Sequence, residues 1–181
     1  MNQTEFIHIL ISVVTISLAF SLAFLQEFPL VFATVGVGFI MHEMGHRAAA
    51  KRFGCIAQYR AWMEGLVLAL IMAFATGGRF IFAAPGAVYI YKPGLTRREN
   101  GIISAAGPMM NVILGLFFLW FFLGTSLPQF AVWGFKVNMF LAMFNLVPFG
   151  PLDGAKVLSW NKAVWAAMFV PLVFANFFLP F

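Results

Sequence analysis

Long apolar runs, separated by short polar or basic clusters, set the plan of this chain. Phe6 to Leu25 is the first run and stops at Gln26-Glu27-Phe28-Pro29. Leu30 to Phe53 is the second, Ile102 to Leu123 the third and Phe130 to Phe149 the fourth. Ala163 to Pro180 is the fifth, and Pro171 is expected to kink it. Each approaches the roughly 20 apolar residues that a helix needs to cross a bilayer. The first has no basic segment before it, so it is expected to be a retained span rather than a cleaved leader. Between the second and third runs the pattern changes. Gly65 to Thr76 is apolar but short, and Gly77-Gly78-Arg79 reads as a turn. Phe80 to Tyr91 is rich in β-formers and broken by Pro85-Gly86. The expectation here is a hairpin, or a short helix plus a strand, dipping into the bilayer against the helices. Non-helical backbone survives at that depth only where protein or a wet cavity satisfies it. An ordinary span over 65–81, with Arg79 reaching for the boundary, is the alternative. The predicted fold is thus membrane all-α, a polytopic bundle of five to six transmembrane helices with a small membrane-embedded β hairpin or strand region. It is read as a single domain over residues 1–181.

Composition agrees with that pattern. The chain is 62% hydrophobic and 9% charged, with 24 phenylalanines, where soluble domains are about 45–50% apolar and about 25% charged. A net charge of +5 would suggest nucleic acid in a soluble protein; here the basic residues flank spans, and no nucleic-acid partner is expected. Arg47, Lys51, Arg52 and Arg60 follow the second run, Lys92, Arg97 and Arg98 precede the third, and Lys156 and Lys162 precede the fifth. Loops 26–29 and 124–129 hold no Lys or Arg. The expected orientation puts the N-terminus and the basic end of the second run in the cytoplasm. A lone cysteine, Cys55, rules out an internal disulfide.

Chemistry concentrates in His42-Glu43-Met44-Gly45-His46, an H-E-x-x-H inside an apolar run. Helix positions four apart share a face, so His42 and His46 can grip one metal ion. Glu43 lies close enough to take a proton from a water the metal activates, the arrangement of a zinc hydrolase. Ionisable residues within a membrane segment are costly and mark function by default. A catalytic tetrahedral zinc takes three protein ligands and leaves one position open. The candidates for the third ligand are Glu5, His8, Glu27, Cys55, Glu64, Glu99 and Asp153. Asp153 is the only aspartate and stands in Asn145-Leu146-Val147-Pro148-Phe149-Gly150-Pro151-Leu152-Asp153-Gly154, which breaks the fourth run at the depth of the histidines. It is the best candidate; a helix-capping aspartate before the fifth run is the plain alternative.

These motifs resemble the site-2 protease family of intramembrane zinc metalloproteases, of the archaeal and bacterial minimal-core type. The resemblance rests on the H-E-x-x-H, on Gly107-Pro108-Met109-Met110-Asn111, on the Asn…Pro…Asp-Gly stretch above and on Ala84-Pro85-Gly86-Ala87-Val88-Tyr89, in order over roughly 35–160. It implies one Zn2+ on His42, His46 and Asp153, Glu43 as base, and cleavage of transmembrane protein substrates. Some relatives add a PDZ or CBS domain, and no such segment is read in this chain.

Four further readings follow. Asn111 is mid-span, where it positions substrate, supports a ligand or simply bonds two helices. Asn145 is a candidate partner for substrate backbone or a developing oxyanion. Lys136 and Asn138 are expected to reach for the outer boundary. The Phe80–Tyr91 stretch, with Pro85, Gly86, Ala87 and Val88 at its bend, is expected either to receive an unwound substrate as an added strand or to plug a gap between helices. The leading functional expectation is an intramembrane zinc endopeptidase in regulated intramembrane proteolysis. The rival is a non-catalytic metal-binding transporter or scaffold, which needs the ligands but no base beside them.

Overall fold

The fold, a computed structural model, is described over residues 2–78 and 86–178. The first apolar run forms α1 (Gln3–Ser21), opened by Asn2, whose side chain accepts the Glu5 N–H. The second is one continuous helix, Leu25–Arg52. It is built from a 3-10 turn (Leu25–Glu27), α2 (Phe28–Val31), a π turn (Phe32–Gly36) and α3 (Val37–Arg52). There follow β1 (Ile56–Ala61), α4 (Met63–Ala75), β2 (Gly86–Tyr91), α5 (Arg97–Phe122), α6 (Pro128–Asn145), α7 (Asp153–Trp160) and α8 (Lys162–Phe178). Among the described residues, three helices are long and apolar enough to cross a membrane: α1, Leu25–Arg52 and α5.

Local chemistry explains where these helices begin and end. α5 starts at Arg97, ahead of its apolar run, because Thr96 and Glu99 exchange a capping box. Pro108 lies inside α5, a position that membrane helices tolerate when neighbours satisfy the freed carbonyl. α6 stops at Asn145, short of the expected Phe149. Beyond it Pro148 and Pro151 forbid a continuous ladder, and Gly150 takes a positive φ of 56°.

The region between the second and third runs is a short helix plus a strand. The strand at Gly86–Tyr91 pairs antiparallel with Ile56–Ala61, in the register Tyr59 to Val88 and Ala61 to Gly86. Sequence reading placed no strand at Ile56–Ala61. That segment is short and carries Gln58 and Arg60, so it resembles a polar connection, and its partner lies across a whole helix. Once paired, it alternates as a half-buried strand must: Ala57 and Tyr59 face inward while Ile56 and Arg60 face out. The hairpin expected within Phe80–Tyr91 falls partly on residues 79–85, outside the described residues.

Two larger apolar clusters, and a smaller one at Ala50, Cys55, Ala57 and Ile103, hold these pieces. Ile9, Val13 and Ile16 of α1 pack with Val31, Val35 and Phe39 of the second helix and with Tyr59 and Leu66. Phe135, Met139, Ala142, Met143 and Leu146 of α6 pack with Val157 of α7 and Leu172 of α8. Between them α3 and α5 cross closely at small residues. A Cβ on Gly45 would stand 2.6 Å from the Ala106 carbonyl oxygen, so the backbones touch where the H-E-x-x-H lies.

Candidate metal centre

His42, Glu43 and His46 sit on α3, and Asp153 is the first residue of α7. All four are buried, at 6%, 6%, 7% and 7% exposure. The break after Asn145 returns the chain as α7 at the level of the two histidines. A Cβ on Gly154 would overlap the Leu146 carbonyl oxygen, so glycine is what lets α7 start this close to the end of α6.

The three side chains converge on one point. The Nε2 atoms of His42 and His46 are 3.0 Å apart, and Asp153 Oδ2 lies 3.3 Å from the first and 3.0 Å from the second. A tetrahedral zinc with bonds of about 2.0–2.1 Å places neighbouring ligand atoms about 3.3 Å apart. The triangle therefore has the size zinc requires.

Hydrogen bonding on the far sides of the rings fixes which atoms face that point. His42 Nδ1 is 2.7 Å from Asn111 Oδ1, and His46 Nδ1 is 2.8 Å from the Ile103 carbonyl. Both oxygens only accept here, so both Nδ1 atoms donate. The Asn111 orientation is itself fixed, because its Nδ2 donates to the Gly38 carbonyl at 3.0 Å and to Asn138 Oδ1 at 3.0 Å. In the neutral rings, both Nε2 atoms are then unprotonated and face a carboxylate oxygen. Three buried acceptors aimed at one another are unstable on their own; a cation satisfies all three. The donor set of two imidazoles and one carboxylate suits zinc. Lys156 Nζ stands 3.6 Å from the other Asp153 oxygen.

Glu43 lies beside this triangle. Its Oε2 is buried and has no hydrogen-bond partner among the described residues. The backbone N–H of Val88, on β2, lies near enough to act electrostatically on its carboxylate. Gly107 closes the site from the α5 side: a Cβ there would overlap His46 Nε2 and stand 2.7 Å from His42 Nε2.

Of the other candidate residues, Gly86, Ala87 and Val88 form the start of β2, and Pro85 lies outside the described residues. Asn111 is fully buried behind His42, in contact with the ring rather than with any open surface. Asn145 is partly buried at the end of α6 and donates to the Leu141 carbonyl at 2.9 Å. Glu5, His8, Cys55 and Glu99, also weighed as ligands, make other contacts.

Two site features escaped sequence reading. Asn138 does not reach for the boundary: it is fully buried, accepts from Asn111 and donates to the Gly134 carbonyl at 2.8 Å. Depth along a helix does not reveal which way a side chain faces, and Asn138 faces inward. Arg47, read only as one of the basic residues flanking the second run, makes a 2.7 Å ion pair with buried Glu5. The available signal was a carboxylate in the first turn of an apolar helix, which needs a partner.

Helices that bury an H-E-x-x-H and an aspartate around one point define a membrane-associated metallohydrolase. Comparison with known proteins gives the family. Residues 30–127 match peptidase family M50, and the chain belongs to it. It is similar to two proteins named “Putative zinc metalloprotease”. MJ0611 of Methanocaldococcus jannaschii is 44% identical over 178 residues, covering 95% of this chain and 92% of that protein. YwhC of Bacillus subtilis is 30% identical over 165 residues, covering 75% and 70%. No solved structure matches the chain. The protein is a zinc metalloprotease with membrane-type helices.

The bond from Asn111 to His42 carries a direct consequence. Asn111→Leu leaves the His42 Nδ1–H unpartnered and frees the ring to turn. Zinc affinity, read by competition with a chelator, is expected to fall about 10–100-fold, the usual cost of losing an outer hydrogen-bond partner. Unchanged affinity would separate Asn111 from the site.

Proposed function

We propose that this chain is an intramembrane zinc endopeptidase that hydrolyses peptide bonds within the transmembrane segments of membrane protein substrates. The observation that carries this reading is the His42–His46–Asp153 triangle, with both histidines on a helix apolar enough to span and Glu43 beside β2. His42, His46 and Asp153 hold one zinc ion. When bound, the zinc supplies Lewis acidity, making water nucleophilic near neutral pH and drawing charge from the peptide carbonyl. Glu43 takes the proton from the attacking water on its free Oε2 and returns it to the leaving amine. Asn111 and Ile103 keep both rings in the tautomer that leaves Nε2 open. Asn145 can turn from the Leu141 carbonyl to a substrate carbonyl at the cost of one local bond.

Substrate enters this scheme as an extended segment. A transmembrane helix hides its carbonyls, and each backbone group freed in a bilayer costs several kcal/mol unless it is paired again. The edge of β2 offers that pairing beside the base, the strand-addition mode of peptide recognition. Gly86, Val88 and Ile90 alternate with outward-facing Ala87 and Tyr89. The metal-binding transporter or scaffold reading needs no base, whereas Glu43 is present, buried and poised.

Placement in the membrane follows the same reading. α6 and α8 join the three long helices to make a bundle of at least five spans, with the N-terminus and the metal side cytoplasmic. The basic residues after α3 and before α5 and α8 support this.

Glu43→Gln is expected to bind zinc as the wild type does and to abolish cleavage of a transmembrane reporter; Asp153→Ala is expected to lose both. Normal proteolysis by the Glu43 variant would remove Glu43 as the base, whereas zinc binding without cleavage by the wild type would favour the non-catalytic rival. Topology has its own check. Cys55 is buried, so its thiol is a poor reporter. In a Cys55→Ser background, Arg52→Cys and Lys162→Cys should react with an impermeant thiol reagent only in inside-out vesicles, and Ser126→Cys only in intact cells. All three positions are exposed. Labelling of Lys162→Cys from outside would mean that α6 does not cross.

A further inference from the structure

α1 carries a polar stripe that the chemistry above does not use. Glu5, His8 and Ser12 are spaced so as to share one helix face, and that face meets β1. Glu5 Oε1 accepts the backbone N–H of Tyr59 at 3.2 Å and, at 2.7 Å, the guanidinium of Arg47. His8 Nδ1 accepts the N–H of Ala61 at 3.3 Å. Ser12 Oγ accepts the Tyr59 hydroxyl at 2.8 Å. Arg47 directly follows the candidate ligand His46 on α3. Glu5 thus ties three elements together: α1, the metal-binding helix and the strand.

The register gives this clamp its meaning. In an antiparallel ladder, opposite residues either exchange both hydrogen bonds or turn both sets of backbone groups outward. Tyr59 and Ala61 send their N–H groups away from β2, to α1. Their partners Val88 and Gly86, and Ile90 opposite Ala57, therefore turn theirs to the opposite side of the sheet. The Glu43 carboxylate interacts with the Val88 backbone on that side of the sheet. One edge of the sheet is closed by α1; the other faces the metal site. Which β2 group meets Glu43 depends on where α1 and Arg47 hold β1.

We infer that Glu5 is a positioning residue which, with Arg47 and His8, clamps the rear edge of β1 so that the front edge of β2 presents substrate backbone in register with Glu43. This rests on the docking-strand reading. Sliding the sheet by one residue would exchange outward-facing for inward-facing backbone groups on β2. Loosening the clamp therefore weakens substrate binding and blurs the choice of scissile bond while leaving the three metal-binding side chains in place.

The test uses the full chain in proteoliposomes with a transmembrane protein substrate. Three variants are compared with the wild type: Glu5→Gln/Arg47→Gln, which removes both charges together, His8→Ala, and Val88→Pro, which deletes the front-edge donor. Zinc content, KM, kcat and the cleavage position by mass spectrometry are read. For the double variant the expected result is normal zinc content, KM raised about tenfold with a smaller fall in kcat, and new cleavage at neighbouring peptide bonds. His8→Ala should move the same quantities less and decides the matter if the double variant does not fold. A merely structural role would lower the active fraction with KM and the single scissile bond unchanged, and that result overturns the proposal. Val88→Pro separates the two layers. If it cleaves normally, the docking strand itself is wrong and the clamp has no object. If it fails while the clamp variants keep wild-type KM and one cleavage site, docking stands and the clamp is overturned.

Discussion

Two histidine nitrogens and one carboxylate oxygen, all acceptors, are held within 3.3 Å of one another in the interior of this protein. With both rings neutral, no proton of the chain satisfies that triangle, because the Nδ1 hydrogens are committed to Asn111 and to the Ile103 carbonyl. The rest of the fold can be read as what is needed to bring those three atoms together and keep them so. α3 supplies two of them on one face, the crossing with α5 supplies the backing bonds, and the break after α6 delivers the third.

The crossing shows why glycine recurs here. Gly45 lets α3 approach α5, Gly107 leaves the space between the ring nitrogens unfilled, and a Cβ at Gly38 would stand 2.6 Å from Asn138 Oδ1. The Asn111–Asn138 pair then joins α3, α5 and α6 through one buried polar chain. In a membrane, where lipid competes equally for apolar side chains, such interhelical bonds contribute about 0.6–2 kcal/mol each. Their larger effect is geometric, since they orient a ring that chemistry requires in one tautomer.

Much of the site was legible because its signals are local. The spacing of His42 and His46, and Glu43 between them, needs only the period of a helix. Asp153 stood out as a lone aspartate where two prolines break a span. Contacts between elements were not legible to the same degree. Asn111 was recognised as polar and mid-span, but its partner His42 lies 69 residues away. Asn138 was assigned the wrong direction, for hydropathy carries no information about azimuth. β1 was missed because six residues with a glutamine and an arginine make a strand only when a distant partner and the α1 stripe satisfy their backbone. Arg47 was counted among the basic flank because nothing in its neighbourhood along the chain announces Glu5.

The central claim is that two imidazoles and one carboxylate, fixed by the fold, make a zinc site. X-ray absorption at the zinc edge of the purified, zinc-loaded protein measures this directly. The account expects a four-coordinate ion with only nitrogen and oxygen neighbours at about 2.0–2.1 Å and the outer-shell scattering of two imidazoles. A sulfur neighbour at about 2.3 Å, or scattering from fewer than two imidazoles, would contradict it.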